Sequence, residues 1–198
     1  MLKSRRVLLC GSHSVGKSTL RNYISERWGL PKLHEVARTE LTEREDNLRR
    51  LAGDLRASTD YQEAIWRRQI AAEREMLAKY PGGYVADRAF DNIAYCLLRA
   101  TPGTTHRLVS EPESQEYLVE IRRSATVFFV RPHKSLLAED GVRFGVDWDS
   151  VVRIDGAVLA LLEVFGIPYV PISCQEPADR ARVVEGVLGP PDRLRIEE

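Results

Sequence analysis

Lysine is scarce in this chain. Only Lys3, Lys17, Lys32, Lys79 and Lys134 are lysine among 29 basic residues, and the others are arginine. Arginine suits bidentate phosphate recognition, and a GC-rich coding sequence produces the same bias. Net charge is lacking as well. The 29 basic residues meet 29 acidic ones, so a strongly basic nucleic-acid-binding domain is not indicated, short of a local basic groove. Cys10, Cys96 and Cys174 are odd in number and widely spaced, and they read as buried free thiols rather than a disulfide framework or metal site. No apolar run approaches the roughly 18 residues of a membrane span, and no signal peptide precedes the first strand. These absences lead to the expectation of a cytoplasmic protein with no membrane partner. Repeats and low-complexity tracts are missing too.

What is present suits one packed domain. The chain has 198 residues, 43% of them apolar and 29% charged, enough for a single buried core and short for two. The expected domain runs over 1–189, with a flexible tail at 190–198. Arg6 to Cys10 is a short apolar run fit for a buried parallel strand. A helix follows, with Leu20, Tyr23, Ile24 and Trp28 on one face, stopped at Gly29 and Pro31. Lys32 to Ala37 reads as a second strand, and Thr39 to Leu55 as a charged, mobile helix or loop. Ser58 caps a long helix to about Tyr80, with Tyr61, Ile65, Ile70 and Leu77 inward. Pro81-Gly82-Gly83 breaks the chain before a short strand at Tyr84 to Ala86. Helices at Phe90–Arg99 and Pro112–Arg123 precede a clear strand, Ala125 to Val130. After a polar connection come a helix at Trp148–Phe165, a strand at Tyr169–Ile172 and a helix at Pro177–Leu188. Alternation of this kind predicts a parallel sheet covered on both faces, with chemistry beyond the carboxyl ends of its strands.

Gly11-Ser12-His13-Ser14-Val15-Gly16-Lys17-Ser18 fits G-x-x-x-x-G-K-[ST] at every required position. It lies between an apolar strand and an amphipathic helix, the context that the motif needs. Residues Gly11 to Thr19 are therefore the expected cofactor-binding loop for ATP or GTP. Backbone N–H groups and the helix dipole would hold the phosphates. Lys17 would reach the β- and γ-phosphates, and the Ser18 hydroxyl would ligate Mg²⁺. His13 occupies a free position and is given no chemistry.

The remaining motifs separate a kinase from other P-loop proteins. No N-K-x-D tetrapeptide is present to read guanine in a regulatory GTPase. A motor ATPase would offer a longer apolar strand ending in adjacent carboxylates, which is not found. Instead Asp87-Arg88 follow the third strand, and an arginine-bearing segment lies between Val130 and Trp148. Carboxylate and metal can hold a donor while arginines neutralise a moving phosphoryl group.

The GSHSVGKST loop, His34-Glu35-Val36-Ala37-Arg38, the DRAFDNIAY segment and Glu139 to Arg143 together resemble the NadR-like P-loop kinases. These are related to thymidylate and deoxynucleoside kinases. The resemblance covers about residues 5 to 173. It implies a five-stranded parallel sheet of order 2-3-1-4-5, helices on both faces and a lid segment. It further implies that Glu35 is the base at the acceptor, that Arg38 binds acceptor or phosphate, and that Asp87 acts on magnesium. Arg88 would bridge phosphates, Gln69 would bind the acceptor, and Arg143, with Arg131, would belong to the lid. Ala89 departs from the pattern, standing where serine is common. The expected acceptor is a small nucleoside or nucleotide and the protein a monomer or homodimer. A hydroxymethylated pyrimidine within DNA is the alternative acceptor, and a nucleotide-gated binding protein with slow hydrolysis is the alternative of another class.

Overall fold

The computed structural model describes residues 5–33, 53–136 and 147–191. Glu35, Arg38 and Arg143, the charged stretch after Thr39, the end of the expected second strand and the tail from residue 192 lie outside the described residues.

Five strands form one parallel sheet: β1 (Arg5–Cys10), β2 (Lys32–Leu33), β3 (Gly83–Ala86), β4 (Ala125–Val130) and β5 (Val170–Ile172). Their order is β2-β3-β1-β4-β5, as the resemblance implied. β1 pairs with β3 on one side, Leu8 opposite Ala86, and with β4 on the other, Cys10 opposite Phe129. The glycine-bearing loop after Cys10 and the residue Asp87 therefore leave the sheet from adjacent strands.

Side-chain alternation along the strands divides the core in two. Val7, Leu9, Phe128 and Val130 face α1 (Lys17–Trp28) and α7 (Pro177–Leu188), meeting Leu20, Ile24 and Val184. Leu8, Cys10, Val127 and Phe129 face the other layer. That layer is built from α2 (Leu55–Lys79), α3 (Asn92–Arg99), α4 (Thr104–Ser110), α5 (Pro112–Ser124) and α6 (Trp148–Val164). Each large apolar side chain so buried contributes about 1.5–3 kcal/mol, and the run Val127 to Val130, buried on both faces, suits a central strand.

Several expectations need correction. The long helix starts at Leu55, because the Asp54 side chain accepts the N–H groups of Arg56 and Ala57 at 2.9 and 3.0 Å. Ser58 lies inside it, and its hydroxyl donates to the Arg99 carbonyl at 2.6 Å instead of capping. The third of these helices, expected from Phe90, begins at Asn92, and α4 was not anticipated at all. Cys174 is half-buried, unlike Cys10 and Cys96. Apart from these corrections, Arg131 donates twice to Asp155 of α6, at 3.1 and 2.8 Å. Among the described residues no helix is long and apolar enough to cross a membrane.

Polar groups also enter the core, around Glu73 of α2. Its carboxylate accepts from Arg6 (2.8 Å), Tyr84 (2.5 Å), Tyr117 (2.6 Å) and Gln69 (2.9 Å). Burial raises the ionisation of both phenols well above the tyrosine range, so they remain donors. Trp66 packs in the same layer, its indole N–H on Ser114 at 2.9 Å.

Candidate functional site

The loop after β1 closes tightly because two glycines allow it. Gly11 has φ 137°, and a Cβ there would stand 2.5 Å from the Val130 carbonyl oxygen. Gly16 has φ 88° and caps α1 with no side-chain partner for the helix N–H groups. A helix N-terminus left in this state is an anion site once a cation and a cradle stand beside it. Lys17 is that cation. Its ammonium donates back to the carbonyls of Gly11, at 2.9 Å, and Ser12. Burial first, and the nearby Arg88 guanidinium second, lower its pKa to about 7. The buried hydroxyl of Ser12 has no hydrogen-bond partner among the described residues, consistent with a loop shaped for groups beyond its own.

Asp87 follows β3 at the same sheet end. One carboxylate oxygen accepts the Ser18 hydroxyl at 2.6 Å, and the other accepts from Arg21 at 3.0 Å. Two hard oxygen donors side by side, next to a phosphate cradle, fit Mg²⁺. That ion takes one or two protein oxygens and completes its shell with phosphates and water. Among the described residues no group of three or more His, Cys, Asp or Glu side chains could hold a metal, and magnesium carried on phosphates does not need one.

Arg88 turns toward the loop. Its Nη1 donates to the Tyr95 hydroxyl at 2.8 Å, its Cζ lies 4.7 Å from that ring's centre, and the same hydroxyl is 3.4 Å from Nδ1 of His13. Gln69 is buried beneath. Its amide N–H groups go to Glu73 and, at 3.1 Å, to the Arg88 carbonyl, and its oxygen accepts from Asn92 at 3.1 Å. As placed, it reaches the site through the Arg88 backbone, with both amide protons already used.

Asp91 is the site residue that sequence reasoning passed over. It is fully buried, accepts the backbone N–H of Gly11 at 3.2 Å and that of Ala89 at 2.8 Å, and stands 3.8 Å from Arg88 Nη1. Burial raises its pKa, while Arg88, Lys17 and the two N–H groups pull it back. The Gly11 N–H is thereby turned to Asp91, so that any amide offered to an anion comes later in the loop. An acidic residue four positions after Asp87 was visible in DRAFD, but nothing local distinguished it from a helix cap. The structure thus brings Lys17, Ser18, Asp87 and Arg88 together and sets Gln69 one layer behind them.

The sequence matches a family model described as AAA domain over residues 6–180. The chain belongs to this family. The description names a domain type and not a reaction. Solved structures similar to the chain fit the NadR-like P-loop kinase resemblance. A NadR protein in complex with NR has a TM-score of 0.75 at 20% identity, covering 96% of this chain and 54% of that one. A deoxyadenosine kinase from M. mycoides has a TM-score of 0.62 at 14% identity, covering 92% and 98%. A shikimate kinase from Acinetobacter baumannii has a TM-score of 0.55 at 12% identity, covering 94% of each. At these identities the likeness establishes the fold. The chain spans about half the length of the NadR proteins it matches. Comparison with curated proteins returned no match.

Proposed function

We propose that the protein is a kinase moving the γ-phosphoryl group of ATP, or GTP, to a hydroxyl or phosphate of a small nucleoside- or nucleotide-type acceptor. The observation that carries this reading is the Ser18–Asp87 pair at 2.6 Å, with Lys17 and Arg88 next to them in the chain. A glycine turn without nucleotide chemistry has no use for that set at one sheet end.

In this reading the amides at the start of α1 and the Lys17 ammonium hold the β- and γ-phosphates. Ser18 and Asp87 hold magnesium, which neutralises phosphate charge when bound. Arg88, held by Tyr95 and Asp91, meets charge on the transferring group by side-chain rotation, and Gln69 fixes its backbone. Glu35 accepts the acceptor's proton, Arg38 binds acceptor or phosphate, and Arg143 closes from the lid. These last three roles rest on the resemblance alone. Gln69 contacts an acceptor only by exchanging one of its interior bonds.

The test is labelled ATP with a panel of nucleosides, monophosphates, nicotinamide riboside and duplex DNA carrying hydroxymethylated pyrimidine. Acceptor-dependent ADP formation is expected, abolished in Lys17→Ala and Asp87→Asn. Full activity in Lys17→Ala refutes the reading. Label on DNA alone moves the acceptor to a polymer. Hydrolysis at one slow rate with every acceptor replaces the kinase by a nucleotide-gated binding protein.

A further inference from the structure

Arg180 lies in the first turn of α7, the positive end of that helix dipole and a poor place for a cation. It is nonetheless only 4% exposed. Its Nε donates to the Cys174 carbonyl at 2.9 Å and its Nη1 to the Val15 carbonyl at 2.5 Å. Among the described residues, Nη2 is buried with no hydrogen-bond partner. No carboxylate offsets the charge among the described residues, and burial lowers its pKa below the arginine range. A buried cation on two carbonyls, without a counterion, is costly to keep unless something else uses it.

Its position says what does. The Val15 carbonyl and the Gly16 N–H belong to one peptide plane, and in a planar trans peptide they point in opposite directions. Pinning the carbonyl back toward α7 therefore aims the Gly16 N–H away from α7. That is the direction needed for a phosphate held over the N-terminus of α1. The approach is close. A Cβ on Gly16 would stand 2.8 Å from Arg180 Nη1, so this glycine serves the guanidinium as well as its own left-handed φ of 88°. α7 can act as a rigid base for the pin because Val184 packs in the same cluster as Leu20 and Ile24 of α1. The connection before α7 is held in turn, with His133 bonded to the Ser173 carbonyl and Gln175 to Ser135, both at 2.7 Å.

We propose that Arg180 is a positioning residue for the phosphate-binding loop, orienting the peptide between Val15 and Gly16 from behind while the donor's phosphates supply the countercharge that the guanidinium lacks. The proposal rests on the nucleotide-binding half of the reading above. It assigns Arg180 to the donor and to no step at the acceptor.

Calorimetric titration of Mg-ATP, Mg-ADP and AMP into wild type, Arg180→Lys and Arg180→Met tests it, with melting temperatures taken without nucleotide. Lysine keeps the charge but lacks the planar fork whose Nε and Nη1 reach the Cys174 and Val15 carbonyls separately. Mg-ATP affinity is expected to fall about tenfold in Arg180→Lys and further in Arg180→Met, the size of one charge-assisted hydrogen bond and more. The loss should shrink from ATP to ADP to AMP. A lowered melting temperature with Mg-ATP affinity within twofold of wild type marks a merely structural staple and overturns the proposal. Should Arg180→Met not fold, Arg180→Lys is decisive. In wild type itself, the Arg180 Nε–H resonance is expected to shift on adding Mg-ATP, and an unmoved resonance overturns the proposal without any variant. Wild type that binds no triphosphate refutes the kinase reading itself. Wild type that binds beside unaffected variants refutes only the role of Arg180.

Discussion

Lys17 turns a burial cost into a proton signal. Its pKa of about 7 lies below the ordinary lysine value of 10.5. Between these values the unfolded chain holds the proton more often than the folded one, so this group's penalty to stability fades as pH rises through the window. A triphosphate reverses the preference, because the ammonium gains a partner. Mg-ATP binding at about pH 8 is therefore expected to take up a fraction of a proton. Calorimetry in buffers of different ionisation enthalpy reads it, and Lys17→Met should remove it. Binding without proton uptake in wild type contradicts the assignment of the cation to the phosphates. Asp91 makes a second case at this scale. Asp91→Ala strands two backbone N–H groups, those of Gly11 and Ala89, at about 1–3 kcal/mol each where buried. Loss of nucleotide affinity together with a lower melting temperature is expected, and unchanged affinity would detach Asp91 from the loop.

Elements were legible where period and punctuation agreed. The strand Ala125–Val130 and the helix Pro177–Leu188 stand at the boundaries read from the sequence, one by its apolar run and the other by proline at N1 and glycine past the end. The start of α2 was misread because Asp54 and Ser58 are both good caps four residues apart. The choice between them fell to a partner distant in sequence, since Ser58 is drawn to the Arg99 carbonyl. Asp54→Ala should cost about 1 kcal/mol, a fall of roughly 2–4 °C in melting temperature for a chain of this size. Ser58→Ala should act differently, loosening α2 from α3 without shortening the helix. Circular dichroism, with hydrogen exchange at residues 55–58, separates the two. Equal fraying in both variants would argue against this division of labour.

For the whole molecule, the core is held partly by an ionic centre. Glu73 is 0% exposed and has four donors from β1, β3, α2 and α5. Removing it in Glu73→Ala leaves Arg6 buried without its partner, expected to cost about 3–5 kcal/mol, and Gln69 then loses a bond beneath Arg88. Urea unfolding measures the cost, and a change under 1 kcal/mol would mean that the network adds little. By itself the sequence determined the glycine-bearing loop after β1, the alternation of strand and helix, and the placing of Asp87 and Arg88 after a strand. These depend on short-range spacing, on which residues fit a tight turn, a buried strand or a helix end. Only the tertiary structure decided that Asp91 takes the Gly11 N–H, that Gln69 faces Glu73 and Arg88, and that Arg180 meets the loop 165 positions earlier in the chain. Nothing local marks such partners. A buried polar group must be satisfied by whatever the packing of the sheet and its helices brings within reach, and that packing belongs to the chain as a whole.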